Sequence, residues 1–147
     1  MATREYVLFV CDNLMAGEDQ HDKLAKARPL GQATTAPVYD LIDLGSSGAL
    51  CAGGMVAISG ELYALEPAEL AVIDVLRGHP VLHQRMAVRL ADGQEAEAYF
   101  VASQQAVGRR RVRSGDWRKR PGTTGGAQPR EAGPFVRWAK RRFDPPR

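Results

Sequence analysis

Cysteine and histidine are scarce in this chain of 147 residues, which holds two cysteines and three histidines. Cys11 and Cys51 are too few for the disulfide framework of a small secreted domain, and they lack the paired spacing of a structural zinc site. His79 and His83 are four residues apart, but the neighbouring glycine and proline oppose the helix that would bring them onto one face. We therefore expect reduced thiols and no metal site.

Long hydrophobic runs are also missing. No stretch approaches the roughly 18 consecutive apolar residues that a membrane span needs, and the N-terminus has no basic segment followed by an apolar run. The 44% of apolar residues is nevertheless enough for one hydrophobic core. These features predict a cytoplasmic protein that does not enter a membrane.

Charge is distributed unevenly along the chain. Residues 1–105 carry 7 Lys+Arg and 14 Asp+Glu, whereas residues 106–147 carry 13 and 3. The basic part also contains Trp117, Phe135, Trp138 and Phe143, and arginine with aromatic residues suits phosphates and stacked bases. We predict a domain over residues 1–118 and a basic extension over 119–147. The extension is expected to pack on the acidic body or to bind a protein partner, with nucleic acid a weaker alternative.

The periodicity of the chain predicts an α+β fold with one main helix. That helix begins near Pro67, faces inward with Leu70, Ile73 and Leu76, and ends at Gly78. Strands are predicted over residues 5–10 and 55–65, and a hairpin over 84–101 turns at Asp92-Gly93. The glycines between residues 45 and 54 predict a long loop, and a short helix after residue 20 is expected to turn Leu24 inward. The short connections between strands favour a mixed, mainly antiparallel sheet, and residues 135–143 are expected to form a terminal basic helix.

Several short motifs follow one another in an order that is more specific than any of them alone. A hydrophobic strand enters a loop at Leu14-Met15, and four further segments follow: Gly60-Glu61-Leu62-Tyr63, Ile73-Asp74-Val75-Leu76-Arg77-Gly78-His79-Pro80, His83-Gln84-Arg85 and Gly115-Asp116-Trp117. In these motifs, residues 5–118 resemble the gamma-glutamylcyclotransferase-like (AIG2-like) family.

This resemblance implies a barrel-like domain, with short peripheral helices, that works without a cofactor. The first loop, here Cys11, Asp12, Asn13 and Leu14, would hold a gamma-glutamyl group through its backbone amides. A glutamate after the main helix would take a proton from the substrate's α-ammonium and return one to the departing amine. The products would be 5-oxoproline and a free amine.

Arg77 occupies the position where the family has that glutamate. A guanidinium stays protonated and accepts no proton, so Arg77 cannot act as the base. Two roles remain open for it: an anion-binding residue of the pocket, or a solvated cation near a helix C-terminus. The leading hypothesis is therefore a divergent member without the standard activity, which binds a small anionic or amino-acid-like ligand or a protein partner.

Asp12 replaces a glycine of the family and gives the competing hypothesis of an active enzyme with a relocated carboxylate. A carboxylate that pairs with Arg77 across the pocket is a weak base, and a loop-capping Asx turn explains Asp12 more simply. Cys11 as a nucleophile activated by a nearby histidine is a further alternative, against the plainer expectation of a small buried side chain. Tyr63, with Glu61, is expected in the pocket wall or as an ordinary strand residue.

Overall fold

The computed structural model describes residues 5–121, and the compact unit treated below extends to Trp117. Arg118 to Pro121 belong to a second unit. The predicted helix over 135–143 and most of the predicted extension lie outside the described residues. The predicted boundary after residue 118 and the predicted partners of the extension therefore stay predictions.

The fold is dominated by one eight-stranded sheet with the order β2-β5-β1-β7-β4-β3-β8, and β6 also pairs with β7. Its strands are Tyr6–Val10 (β1), Arg28–Thr34 (β2), Tyr39–Asp43 (β3), Gly48–Ala52 (β4), Ser59–Leu65 (β5), Gln84–Arg89 (β6), Glu95–Phe100 (β7) and Arg110–Arg111 (β8). The pairs β1–β7 and β4–β7 are parallel and the others antiparallel. The predicted mixed, mainly antiparallel α+β architecture is confirmed, but the sheet is open and not a closed barrel.

The main helix, α1, runs over Pro67–Arg77 and is followed by Gly78 in the left-handed conformation, at φ 69°. This start and end agree with the prediction, because proline suits the first helical turn and glycine adopts positive φ without strain. Leu70 and Ile73 are buried as expected. The third predicted inward residue, Leu76, is 44% exposed, and its neighbour Arg77 is buried in its place.

Three shorter helical segments accompany α1 within the described residues. A 3-10 helix spans His21–Leu24 and turns Leu24 into the core, as predicted. A one-turn helix, α2, spans Ser103–Ala106, and a second 3-10 turn spans Trp117–Lys119.

Within residues 5–121, the structure contains no helix with the length and apolar character of a membrane span.

The long loop predicted over residues 45–54 is wrong, because residues 48–52 form β4. The strand is only five residues long, and the glycines at 45, 48, 53 and 54 in and around it favoured a loop in the prediction. Residues 48–51 are buried, and the strand lies between β3 and β7 in the sheet. This central position matters for the site, since it places the start of β4 beside the loop that follows β1.

The main hydrophobic core combines buried side chains of the strands with Leu70 and Ile73 of α1 and with Trp117. Its largest fully buried side chains include Phe9 on β1, Leu50 on β4, Ile73 on α1 and Trp117. Trp117 is only 1% exposed, so the last of the resembling motifs ends in the core. The core thus fixes β1, β4 and the end of α1 relative to one another.

Candidate functional site

Three elements of the sequence meet where β1 ends. The strand is held between β5 and β7 and delivers Cys11, Asp12 and Asn13 as it leaves the sheet. The last residue of α1 is Arg77, and the first residue of β4 is Gly48. All of these residues except Gly48 were predicted site residues, and the structure brings them together.

Arg77 and Asp12 form a buried, two-pronged ion pair. Arg77 Nη1 donates to Asp12 Oδ2 at 2.7 Å, and Arg77 Nη2 donates to Asp12 Oδ1 at 3.3 Å. Nη2 also donates to Asn13 Oδ1 at 3.0 Å. Arg77, Asp12 and Asn13 are only 5%, 4% and 5% exposed. The alternative of a solvated arginine at the helix end is therefore wrong, because this guanidinium is desolvated and compensated by a carboxylate.

The Asp12 carboxylate accepts two further hydrogen bonds from the backbone. The amide of Leu14 donates to Oδ1 at 3.3 Å and the amide of Gly48 donates to Oδ2 at 2.9 Å. The first contact is the predicted Asx turn, so Asp12 caps its own loop and pairs with Arg77 at the same time. Each carboxylate oxygen thus accepts one bond from the guanidinium and one from an amide.

Gly48 permits this arrangement because a side chain would not fit there. A Cβ at position 48 would lie 2.6 Å from the Trp117 ring and 3.1 Å from the Cβ of Asp12. This contact was not predicted, because Gly48 is 36 positions from Asp12 in the sequence and was assigned to a glycine-rich loop. Its absent side chain lets the β4 backbone donate to the buried carboxylate.

His83, the first residue of the His83-Gln84-Arg85 motif, also belongs to the site, although it was not among the predicted site residues. Its Nδ1 lies 2.8 Å from the carbonyl oxygen of Arg77, and its ring meets Tyr99 edge-on at 6.4 Å between centroids. A carbonyl oxygen only accepts, so Nδ1 carries the hydrogen and Nε2 is the acceptor nitrogen. His83 Nε2 and Arg77 Nε are both buried without a hydrogen-bond partner among the described residues.

Burial lowers the pKa of His83, and the positive charge of Arg77 acts in the same direction. The bond to the Arg77 carbonyl and the charge of Asp12 oppose this shift but do not outweigh it. The imidazole is therefore neutral near pH 7. An unpaired donor and an unpaired neutral acceptor consequently belong to the same buried cluster.

The His83 pKa gives an expected pH dependence of stability. As pH falls below about 7, the histidine of the unfolded chain binds a proton near its ordinary value of 6.5, while the folded chain keeps it neutral. The free energy of unfolding should therefore decrease as pH falls from about 7.5 to 5.5. Urea titrations of wild type and His83→Phe should show a smaller loss in the variant. Equal losses would show that His83 does not carry this effect.

Cys11 is buried next to the ion pair. Its pKa is raised, first by burial and then by the negative charge of Asp12, with Arg77 opposing. A thiolate is the nucleophilic form of cysteine, and this environment disfavours it. Cys11 thus matches the plainer expectation of a small buried side chain.

A charged network supports the inner side of α1 and was not predicted. Arg85 on β6 binds Asp74 through Nε at 2.9 Å and Nη2 at 3.0 Å, and it also contacts Glu97. Tyr99 OH donates to Asp74 Oδ1 at 2.7 Å. Burial raises the pKa of Asp74, but the hydrogen bonds from Arg85 and Tyr99 outweigh it and leave the pKa lowered. The network fixes α1 one turn before Arg77 and links it to the strand that carries Tyr99.

Tyr63 is buried on β5 and takes part in contacts to later residues of the first loop. Its hydroxyl donates to Glu61 Oε1 at 2.8 Å, and the same oxygen accepts from the amide of Ala16 at 2.9 Å. The carbonyl of Leu14 accepts from His21 Nδ1 at 2.9 Å, and the His21 ring lies 5.8 Å from that of Tyr63. Tyr63 and Glu61 therefore brace the first loop from β5.

Comparisons with known proteins agree with the fold and the motifs. Residues 8–119 match the model of a family described as gamma-glutamyl cyclotransferase, AIG2-like. A Vibrio cholerae protein with the name "Putative gamma-glutamylcyclotransferase" is 32% identical over 116 residues, covering 79% of this chain and 98% of that protein.

Two solved structures share the fold at low sequence identity. An AIG2-like protein from Mus musculus superposes with a TM-score of 0.69 and 20% identity, over 88% of this chain and 99% of that one. A uropathogenic E. coli-specific protein gives a TM-score of 0.69 and 22% identity, over 79% of this chain and 94% of that one.

Proposed function

Because this chain belongs to the gamma-glutamyl cyclotransferase, AIG2-like family, we propose that it is a divergent member whose altered site binds a small amino-acid-like ligand. We further propose that it does not perform the standard cyclotransferase reaction. The observation that carries this proposal is the buried Arg77–Asp12 pair, in which Nη1 lies 2.7 Å from Oδ2. The pair stands where the resemblance implies a loop that binds substrate and a glutamate that accepts a proton.

Neither member of the pair is suited to the general-base role. Arg77 offers no lone pair to accept a proton. Asp12 has its oxygens engaged by Arg77 and by the amides of Leu14 and Gly48, at 2.7 to 3.3 Å. To accept a substrate proton, Asp12 would have to give up at least one of these contacts inside the protein. We therefore do not favour the relocated carboxylate as an active base.

The unpaired atoms around the pair indicate the kind of ligand. Arg77 Nε is a donor and His83 Nε2 an acceptor, and a buried polar atom without a partner costs about 1–3 kcal/mol. A ligand that presents both an acceptor and a donor would satisfy the two atoms. Because Asp12 already compensates the Arg77 charge, a group with both functions, such as an amide or an amino acid, fits better than a simple anion.

Calorimetric titration tests this proposal with three probes: L-glutamate, 5-oxoproline and a gamma-glutamyl amine. We expect at least one of them to bind with one-to-one stoichiometry. His83→Phe should weaken that binding by about tenfold, the value of one lost hydrogen bond. His79→Phe is the matched control, because the Nδ1 of His79 already accepts from the amide of Arg85 at 3.0 Å.

Two outcomes would contradict the ligand proposal. One is that none of the three probes binds at millimolar concentration. The other is that the substitutions at His83 and His79 weaken binding equally, which would show that the unpaired ring nitrogen has no part in it.

A further inference from the structure

Helix α1 presents an uncharged apolar side to solvent. Its exposed positions beyond Pro67 are Ala68, Ala71, Val72, Val75 and Leu76. Val72 is 60% exposed and Val75 is 81% exposed. The turn after the helix continues this character, with Val81 at 79% and Leu82 at 64% exposure. We refer to the five helical residues, with Val81 and Leu82, as the α1 face.

Two of the three charged residues of α1, Asp74 and Arg77, are turned away from this face, and the third, Glu69, lines a cavity at its N-terminal end together with Ala68 and Val72. Asp74 is held by Arg85, Arg77 is buried against Asp12, and Glu69 accepts from the amide of Glu66 at the start of the helix. A surface helix normally places its charges in solvent and its apolar side chains in the core. Here an apolar stripe is left over, and contiguous exposed apolar surface of this kind marks an interaction site.

We propose that the α1 face is a homodimer interface, in which α1 of one copy packs antiparallel to α1 of a second copy about a twofold axis near Val72. A twofold interface places each surface patch against itself, so any charge on it would meet its like. The exposed positions of α1 after its first turn carry no charge that would oppose this contact.

The face also has complementary halves for antiparallel packing. Small residues, Ala68 and Ala71, occupy the N-terminal half, and the larger Val75 and Leu76 occupy the C-terminal half. In an antiparallel pair, the large half of each helix lies on the small half of the other. Ridges formed by large side chains then enter the grooves left by small ones, which is how helices pack closely.

A surface cavity beside the N-terminal half of α1 adds to the complementarity between the two copies. It has a volume of about 400 Å³. Its lining combines apolar residues, among them Leu65, Ala68 and Val72, with four charged residues of both signs: Asp22, Lys23, Lys26 and Glu69. Antiparallel packing brings the turn after α1 of one copy over this end of the other helix. The exposed side chains of Val81 and Leu82 are the ones available to enter the cavity.

Sedimentation equilibrium of the full chain tests the interface. At about 100 μM, a dimer with micromolar affinity is nearly complete, so the expected mass is twice the 16.0 kDa of one chain. Val75→Glu should reduce the mass to that of one chain, because it places like charges opposite each other in the interface. The matched control is Met55→Glu, since Met55 is 82% exposed and lies outside the α1 face.

A cysteine substitution tests the geometry independently of stability. Val72→Cys should form a disulfide-linked dimer under mild oxidation, since residue 72 of each copy lies near the axis, whereas Met55→Cys should not. Cys11 and Cys51 are buried and should leave the background low. A wild-type monomer at this concentration, a dimer that persists in Val75→Glu, or equal cross-linking of both cysteine variants would each overturn the proposal.

Discussion

Asp12→Ala is expected to lower the free energy of unfolding by about 3–5 kcal/mol, as is typical when one partner of a buried ion pair is removed. The substitution leaves the guanidinium of Arg77, only 5% exposed, without its carboxylate. The amides of Leu14 and Gly48 lose their acceptor at the same time. Because a domain of this size is stable by about 5–15 kcal/mol, the loss would be visible in a urea titration followed by circular dichroism.

The double variant Asp12→Leu/Arg77→Met separates the ion pair from general damage to the site. It removes both charges and fills similar volume with apolar atoms, and such replacements are often neutral or stabilising. We therefore expect the double variant to be more stable than Asp12→Ala. If Asp12→Ala lowers the free energy of unfolding by less than about 1 kcal/mol, the pair contributes no more than an exposed salt bridge. That result would contradict its role as a buried ion pair that stabilises the fold.

The substitution with the largest expected effect on activity is the double change Asp12→Gly/Arg77→Glu. It restores the glycine and the glutamate that the family resemblance implies at these positions. Since positioned proton transfer contributes about 10²–10⁴ in rate, release of 5-oxoproline from a gamma-glutamyl amine should rise at least about 100-fold over wild type. Chromatographic quantification of 5-oxoproline measures this directly.

The two changes are required together. Arg77→Glu alone would bury a second carboxylate beside Asp12, and like charges in a dry site destabilise the fold. The control for the base is Asp12→Gly/Arg77→Gln, which keeps the shape of the side chain but accepts no proton. Equal rates for the glutamine and glutamate versions would show that the gain does not come from a general base.

Local patterns were sufficient for the elements whose signals are short-range. The helix from Pro67 to Arg77 was predicted from a proline at its start, a glycine after its end and leucine and isoleucine between them. The hairpin of β6 and β7 followed from alternation around Asp92-Gly93. Asp12 and Arg77 are 65 positions apart in the sequence. Their contact was predicted only through the family resemblance.

The features that sequence reasoning missed depend on tertiary contacts. Gly48 was predicted to lie in a loop, and only the close packing of Trp117 and Asp12 against it explains why position 48 has no side chain. Leu76 fits the inward spacing of the helix, but Arg77 is turned inward instead because a carboxylate lies there to receive it. The sequence does not indicate that His83 is buried with an unpaired ring nitrogen, because this depends on how the turn after α1 packs in the folded protein.

The most direct test of the central claim is incubation of the wild-type protein with a gamma-glutamyl amine, followed by measurement of 5-oxoproline. The buried Arg77–Asp12 pair predicts no release above the rate without protein. Release by wild type that Asp12→Asn abolishes would contradict it and would make Asp12 the working base of an active cyclotransferase.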